Sequence, residues 1–108
     1  MSQEAAARLD KRMLIDGEWT AGDGRIDVIH PYDGSRVGSV PLATADQVTA
    51  AVDAAERAYE ASTLSAYERY ELLERTADLL EDDADRVANV LTSEQGKPIT
   101  EARGEVDR

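Results

Sequence analysis

The sequence contains no cysteine and no phenylalanine, one tryptophan and four tyrosines, and its lysines are confined to Lys11 and Lys97. Without a thiol there is no disulfide framework, no thiolate metal site and no cysteine nucleophile, and nothing points to an oxidising compartment. Cytoplasmic residence is the default expectation. No apolar run approaches the roughly 18 residues of a membrane span, and residues 1–12 lack the apolar middle of a signal peptide, so neither membrane nor export is expected. Scarcity of large aromatics removes the usual source of buried area, and much of the 42% hydrophobic content is alanine. A well-filled independent core is therefore not expected from these 108 residues.

What is abundant is negative charge: 23 Asp and Glu against 12 Lys and Arg give a formal net charge of -11. Such a surface repels phosphate backbones and anionic lipid, which excludes nucleic acid as an expected partner. The acids are spread along the chain, and with few lysines and many alanines the composition reads as salt-adapted. Dense carboxylates stay hydrated in brine, where a Debye length of about 3 Å at 1 M salt suppresses their repulsion.

Residues 2–11 are alanine-rich and charged and are expected to form a flexible lead-in, with order beginning near Met13. Met13, Leu14 and Ile15 then precede Asp16-Gly17, which tolerates the positive φ angles of a type I′ turn, and Glu18-Trp19-Thr20 follows as the return strand. Ile26, Val28 and His30 alternate with Asp27 and Ile29. Pro31-Tyr32-Asp33-Gly34 supplies a turn before a strand over residues 36–40, which makes a second hairpin.

After Pro41 the pattern becomes helical. Thr44 with Gln47 has capping-box spacing ahead of a helix over residues 45–61, whose stripe is Val48, Val52, Ala55 and Tyr59. Ser65 with Glu68 repeats the box, and the next helix presents Tyr70, Leu73, Ala77 and Leu80 until the acids at 82–85 interrupt it. A third helix carries Val87, Val90 and Leu91 and stops at Gly96, with Pro98 just beyond. Thr100 is the expected cap of a fourth helix from Glu101, which has no stop signal before Arg108, so the sequence reads as cut within an element.

The chemical inventory is poor. His30, the sole histidine, sits in a turn and reads as a polar hydrogen-bonding residue. Gly96-Lys97 leaves a helix, whereas a phosphate loop leads from a strand into one. Gly22, Gly24 and Gly34 read as hairpin turns, without the strand, tight turn and helix of a dinucleotide fingerprint. Adjacent acids such as Asp82 and Asp83 read as solvated charge. No catalytic or cofactor-binding residue is expected among these 108.

Taken in order, Leu14-Ile15-Asp16-Gly17-Glu18-Trp19, then Val28-Ile29-His30-Pro31, then the 50–59 helix, then Glu68-Arg69 with Leu72-Leu73, resemble the opening of the aldehyde dehydrogenase superfamily. The most specific stretch is Glu94-Gln95-Gly96-Lys97-Pro98-Ile99-Thr100-Glu101-Ala102-Arg103 with Glu105-Val106, which is similar to the signature after that family's third N-terminal helix. The likeness runs from about Met13 to Arg108. His30 stands where the family usually has asparagine, and residues 63–65 lack a tryptophan common there.

The resemblance implies an α/β fold in the full-length family, a Rossmann-like cofactor domain, of which this segment supplies two N-terminal β-hairpins followed by three to four α-helices. Residues 1–12 are then a flexible lead-in and residues 13–108 a truncated N-terminal part of that domain. It implies oxidation of an aldehyde, of the semialdehyde or lactaldehyde kind, to a carboxylic acid through a cysteine thiolate with NAD or NADP as hydride acceptor. The nucleophile, base, oxyanion-hole asparagine and dinucleotide loops all fall beyond Arg108, so the segment alone is expected to be inactive. The implied partners are a small-molecule aldehyde, the remainder of the same polypeptide and, at full length, further copies in a homo-oligomer. Some family members hold a monovalent cation with two backbone carbonyls and an acid, which correspond here to Val28, Ile29 and Glu94. A reading from another class is a small acidic helical interaction module with no catalysis, binding a partner through its helix stripes.

Overall fold

The computed structural model describes residues 9–108, in which two two-stranded antiparallel sheets are followed by four helices. The lead-in expected over residues 1–12 lies, for residues 1–8, outside the described residues. The chain divides into two compact units, residues 1–29 with 35–62, and residues 30–34 with 63–108.

In the first unit, β1 (Met13–Ile15) pairs with β2 (Glu18–Thr20), with Ile15 opposite Glu18. The two-residue connection has Asp16 at φ 52° and Gly17 at φ 76°. These paired positive φ values are the type I′ geometry that follows the right-handed twist of the strands. β3 (Arg25–Ile29) pairs with β4 (Arg36–Pro41), and the register steps from Val28 opposite Gly38 to Ile29 opposite Arg36. Val37 is thus the extra residue of a bulge, and among the described residues it is also the largest buried side chain, 1% exposed.

Order reaches back beyond Met13. Asp10 forms a parallel bridge with Ser39, and the Lys11 N–H donates to the Ser39 carbonyl at 3.0 Å. Leu9 passes so near Gly38 that an added Cβ there would lie 2.5 Å from the Leu9 carbonyl oxygen.

Helix α1 (Ala45–Ala61) begins with the complete Thr44/Gln47 capping box. Gln47 also donates through Nε2 to the Ala21 carbonyl at 2.8 Å, tying the helix start to the turn between β2 and β3. The same turn is held by Asp23 N–H to the Leu42 carbonyl and Leu42 N–H to the Gly24 carbonyl, at 2.8 and 3.1 Å. Against β1 the helix presents small side chains, with Ala54 buried. The stripe read from the sequence points elsewhere: Val48, Val52 and Tyr59 are exposed.

In the second unit, the 31–34 turn closes with the Gly34 N–H donating to the His30 carbonyl at 2.9 Å. Helix α2 (Ala66–Asp82) starts at the Ser65/Glu68 capping box, and none of its residues is buried. Leu72, Leu73, Leu79 and Leu80 are exposed, with Leu73 at 71%. α3 (Ala84–Gln95) packs on α4 (Ile99–Asp107), with Ala88 and Ala102 fully buried. Lacking side chains beyond Cβ, these alanines allow close approach of two helix backbones. Val90 and Leu91, read as apolar contact residues, are half-buried.

The start of α4 departs from expectation. Thr100 does not cap it; Pro98 stands at the N-cap, and its carbonyl accepts from the N–H groups of Glu101 and Ala102. Proline suits the site because its fixed φ, here -58°, and its missing N–H cost nothing where no helical donor is needed. The helix therefore begins at Ile99, two residues before the expected start.

Candidate functional site

Catalysis needs a nucleophile, a base, a metal cluster or a cofactor cradle. The chain has no cysteine, and the imidazole of His30 is engaged locally: Nδ1 accepts from the Tyr32 N–H at 3.1 Å and lies 4.0 Å from the Asp33 carboxylate. Its ring also meets Tyr32 edge-on, with centroids 6.5 Å apart. This imidazole orders a turn.

No phosphate cradle is present among the described residues. The connection from β4 into α1 is Leu42-Ala43-Thr44, without glycine, and the Thr44 hydroxyl already accepts from the Gln47 N–H there. Gly17, Gly24 and Gly34 take positive φ in turns, and Gly22 packs against the Leu42 backbone. Gly96 ends α3 at φ 75° and donates its N–H to the Thr92 carbonyl at 2.8 Å, a left-handed helix stop. Lys97 forms an ion pair with Glu105. Among the described residues, then, no glycine turn leads from a strand into a helix as a dinucleotide cradle requires.

The three residues assigned to a cation are placed as follows. Val28 and Ile29 close β3 at the bulge, where the regular ladder breaks, and belong to the first unit. Glu94 is an exposed carboxylate in the last turn of α3, in the second unit. Among the described residues no group of three or more His, Cys, Asp or Glu is gathered as a metal site. Beside α1, an open groove is lined by Leu14, Ile15, Ala51 and Ala54, and the carboxylate at its edge, Asp16, is paired with Arg57 at 3.1 Å.

The densest polar cluster was not apparent in the sequence. Arg36 contacts Asp10 at 2.5 Å and Asp27 at 3.2 Å, and the Ser39 hydroxyl donates to Asp10 at 3.0 Å. Arg25 donates to the Ser39 hydroxyl at 2.7 Å, the Ser39 carbonyl at 2.9 Å and the Lys11 carbonyl at 2.6 Å. The Ser39 hydrogen bond, followed by Arg36, holds the Asp10 carboxyl below its ordinary value, while Asp10 and then Asp27 raise Arg36. Ser39 is 2% exposed and is the buried polar anchor of the group. The only sequence cue was a serine at an inward strand position, and its main partner lies 29 residues earlier.

Comparison with known proteins bears on these observations. Residues 19–108 match the Aldehyde dehydrogenase family. The chain is 44% identical over 99 residues to the succinate-semialdehyde dehydrogenase (NADP(+)) of Escherichia coli K12, covering 89% of this chain and 20% of that protein. It is 45% identical over 96 residues to a non-phosphorylating aspartate-semialdehyde dehydrogenase of Halomonas elongata, covering 86% of this chain and 20% of that one. Among solved structures, an NAD-dependent aldehyde dehydrogenase from Sinorhizobium meliloti superposes with a TM-score of 0.88 at 34% identity, over 98% of this chain and 22% of that chain. A betaine aldehyde dehydrogenase from Staphylococcus aureus in complex with NAD+ gives 0.90 at 28% identity, over 99% and 22%. The chain spans about a fifth of the length of the curated relatives it matches.

Proposed function

The chain belongs to the aldehyde dehydrogenase family, and from that premise we propose that it is the N-terminal portion of an NAD(P)-dependent enzyme oxidising a small aldehyde to a carboxylic acid. The observation that carries this reading is a family match over residues 19–108 that reaches only a fifth of its relatives' length, in a chain without cysteine. Semialdehydes are the favoured substrate class, because succinate-semialdehyde and aspartate-semialdehyde dehydrogenases are among the relatives.

In this reading the nucleophile, the base and the residues that hold the dinucleotide belong to sequence outside these 108 residues, and no step of the reaction is assigned to a side chain present here. Residues 13–108 serve as the outer layer of the cofactor-binding domain. Their function is bracing: two capping boxes, a type I′ turn and a glycine helix stop fix the directions of strands and helices whose apolar side chains Val48, Val52, Leu73 and Leu80 stand uncovered. At full length the proposal includes assembly into a homo-oligomer. The monovalent cation on the Val28 and Ile29 carbonyls and the Glu94 carboxylate rests on the family resemblance and on the preference of hard cations for oxygen. The salt-adapted reading rests on a net charge of -11 with two lysines, and cytoplasmic residence is the default for a chain without cysteine.

The test is formation of NADH and NADPH from succinate semialdehyde and other short aldehydes by the 108-residue chain at saturating cofactor. The expected rate equals that of a heat-treated control, because thiohemiacetal formation needs a thiol. Turnover above it would show that the chemistry is misassigned.

A further inference from the structure

Independently of that reading, we propose that residues 9–11 are a releasable latch: they dock on β4 through the Asp10, Arg36, Ser39 and Arg25 clamp, and docking shields Lys11-Arg12 from proteolytic cleavage. The latch is held by side chains and backbone of β3 and β4. The backbone of Lys11 is held on both sides, its N–H by the Ser39 carbonyl at 3.0 Å and its carbonyl by Arg25 at 2.6 Å. The side chain of Asp10 reaches Arg36 and the Ser39 hydroxyl, so main chain and side chain dock on one residue of the sheet. Arg25 crosses from β3 to bind both the latch and its anchor.

The seat is shaped for this passage. Gly38 is buried, and a Cβ there would meet the Leu9 carbonyl oxygen at 2.5 Å and the Leu9 Cβ at 2.7 Å. Side-chain movement cannot relieve an overlap with main chain, so a residue larger than glycine at 38 displaces the latch. The docking is also short: one parallel bridge at Asp10, with no longer ladder beside it among the described residues. A single bridge held by partly exposed charged groups opens far more readily than a strand paired along its length. Opening frees two consecutive basic residues, the sequence that trypsin-like proteases cut, and uncovers the outer edge of β4 at Ser39.

The test is limited trypsin digestion of the full chain, with cleavage after Lys11 and Arg12 quantified by mass spectrometry against cleavage after Arg69 and Arg75 in α2. When reclosing is fast, cleavage follows the population of the open form. Gly38→Ala and Arg36→Gln leave the cut sequence unaltered, and each is expected to raise cleavage at 11 and 12 by about tenfold or more relative to the α2 sites. Glu105→Gln, which breaks the Lys97 pair, is expected to leave the ratio unchanged. A selective rise in both variants supports the latch. No rise, a rise in only one of them, or an equal rise at the α2 sites, overturns it.

Discussion

Replacing Gly96 with alanine should destabilise the chain more than replacing Gly17, although the two backbones are nearly superimposable in φ, at 75° and 76°. Any L-residue in the left-handed region costs about 1–2 kcal/mol, and alanine recovers about 0.4–1 kcal/mol by restricting the unfolded chain. At Gly17 nothing lies within 4 Å of the added methyl, so the net loss there should be about 1 kcal/mol or less. At Gly96 the methyl meets Pro31, at 3.3 Å from Cγ and 3.4 Å from Cβ. A proline ring cannot swing aside, and the contact adds a crowding term at the low end of the about 1–3 kcal/mol seen for overpacking. Gly96→Ala should therefore lose about 2 kcal/mol, roughly 1 kcal/mol more than Gly17→Ala. Urea unfolding followed by far-ultraviolet circular dichroism measures both. Equal losses, or a larger one at Gly17, would refute the claim that Pro31 and Gly96 are packed together.

Thr44→Ala should cost about 1 kcal/mol through loss of the hydroxyl that accepts the Gln47 N–H, and Thr44→Ser should restore most of it in the same unfolding assay. Ala102→Leu should lose about 1–3 kcal/mol by forcing α4 off α3, whereas a leucine at exposed Glu101 should change stability little; equal effects would mean that the helices are not in close contact there. The Glu68 carboxyl accepts from the Ser65 backbone N–H, which holds it below its ordinary value of 4.5, and Arg86 similarly lowers Asp83. With the folded pKa depressed, these contributions are complete above the ordinary carboxylate range and are lost as pH falls through the depressed values. Carboxyl titration by NMR should place Glu68 below a free glutamate, and Ser65→Pro, which removes the N–H, should raise it. The uncovered leucines of α2 should bind a hydrophobic dye in the folded chain, and Leu73→Gln with Leu80→Gln should reduce that signal without loss of helix content.

Features written in a few consecutive residues were legible in the sequence. Asp16-Gly17, the Thr44/Gln47 and Ser65/Glu68 boxes and Gly96 each fix the backbone through a hydrogen bond or a φ value available within four residues, so spacing alone reveals them. What depended on distant chain was not. Asp10 looks like part of a charged lead-in until Ser39, 29 residues on, accepts it into the sheet, and Gly38 looks like an ordinary strand glycine until Leu9 crosses it. The helix stripes were legible as apolar spacing, but spacing does not say what covers a stripe: α1 turns its alanines to β1 and leaves Val48 and Val52 exposed. Thr100 matched the residue type of a cap, and the choice went to Pro98 because the chain leaves the left-handed Gly96 already extended there. The lack of a cysteine nucleophile is a fact of composition, visible without reference to any fold.

The central claim, that these residues are the non-catalytic opening of a longer aldehyde dehydrogenase, is tested most directly by reading the coding frame of the intact gene past the codon for Arg108. The account predicts a continuing frame that encodes a glycine-bearing strand, turn and helix and, further on, a cysteine nucleophile. A stop codon immediately after Arg108 would contradict it.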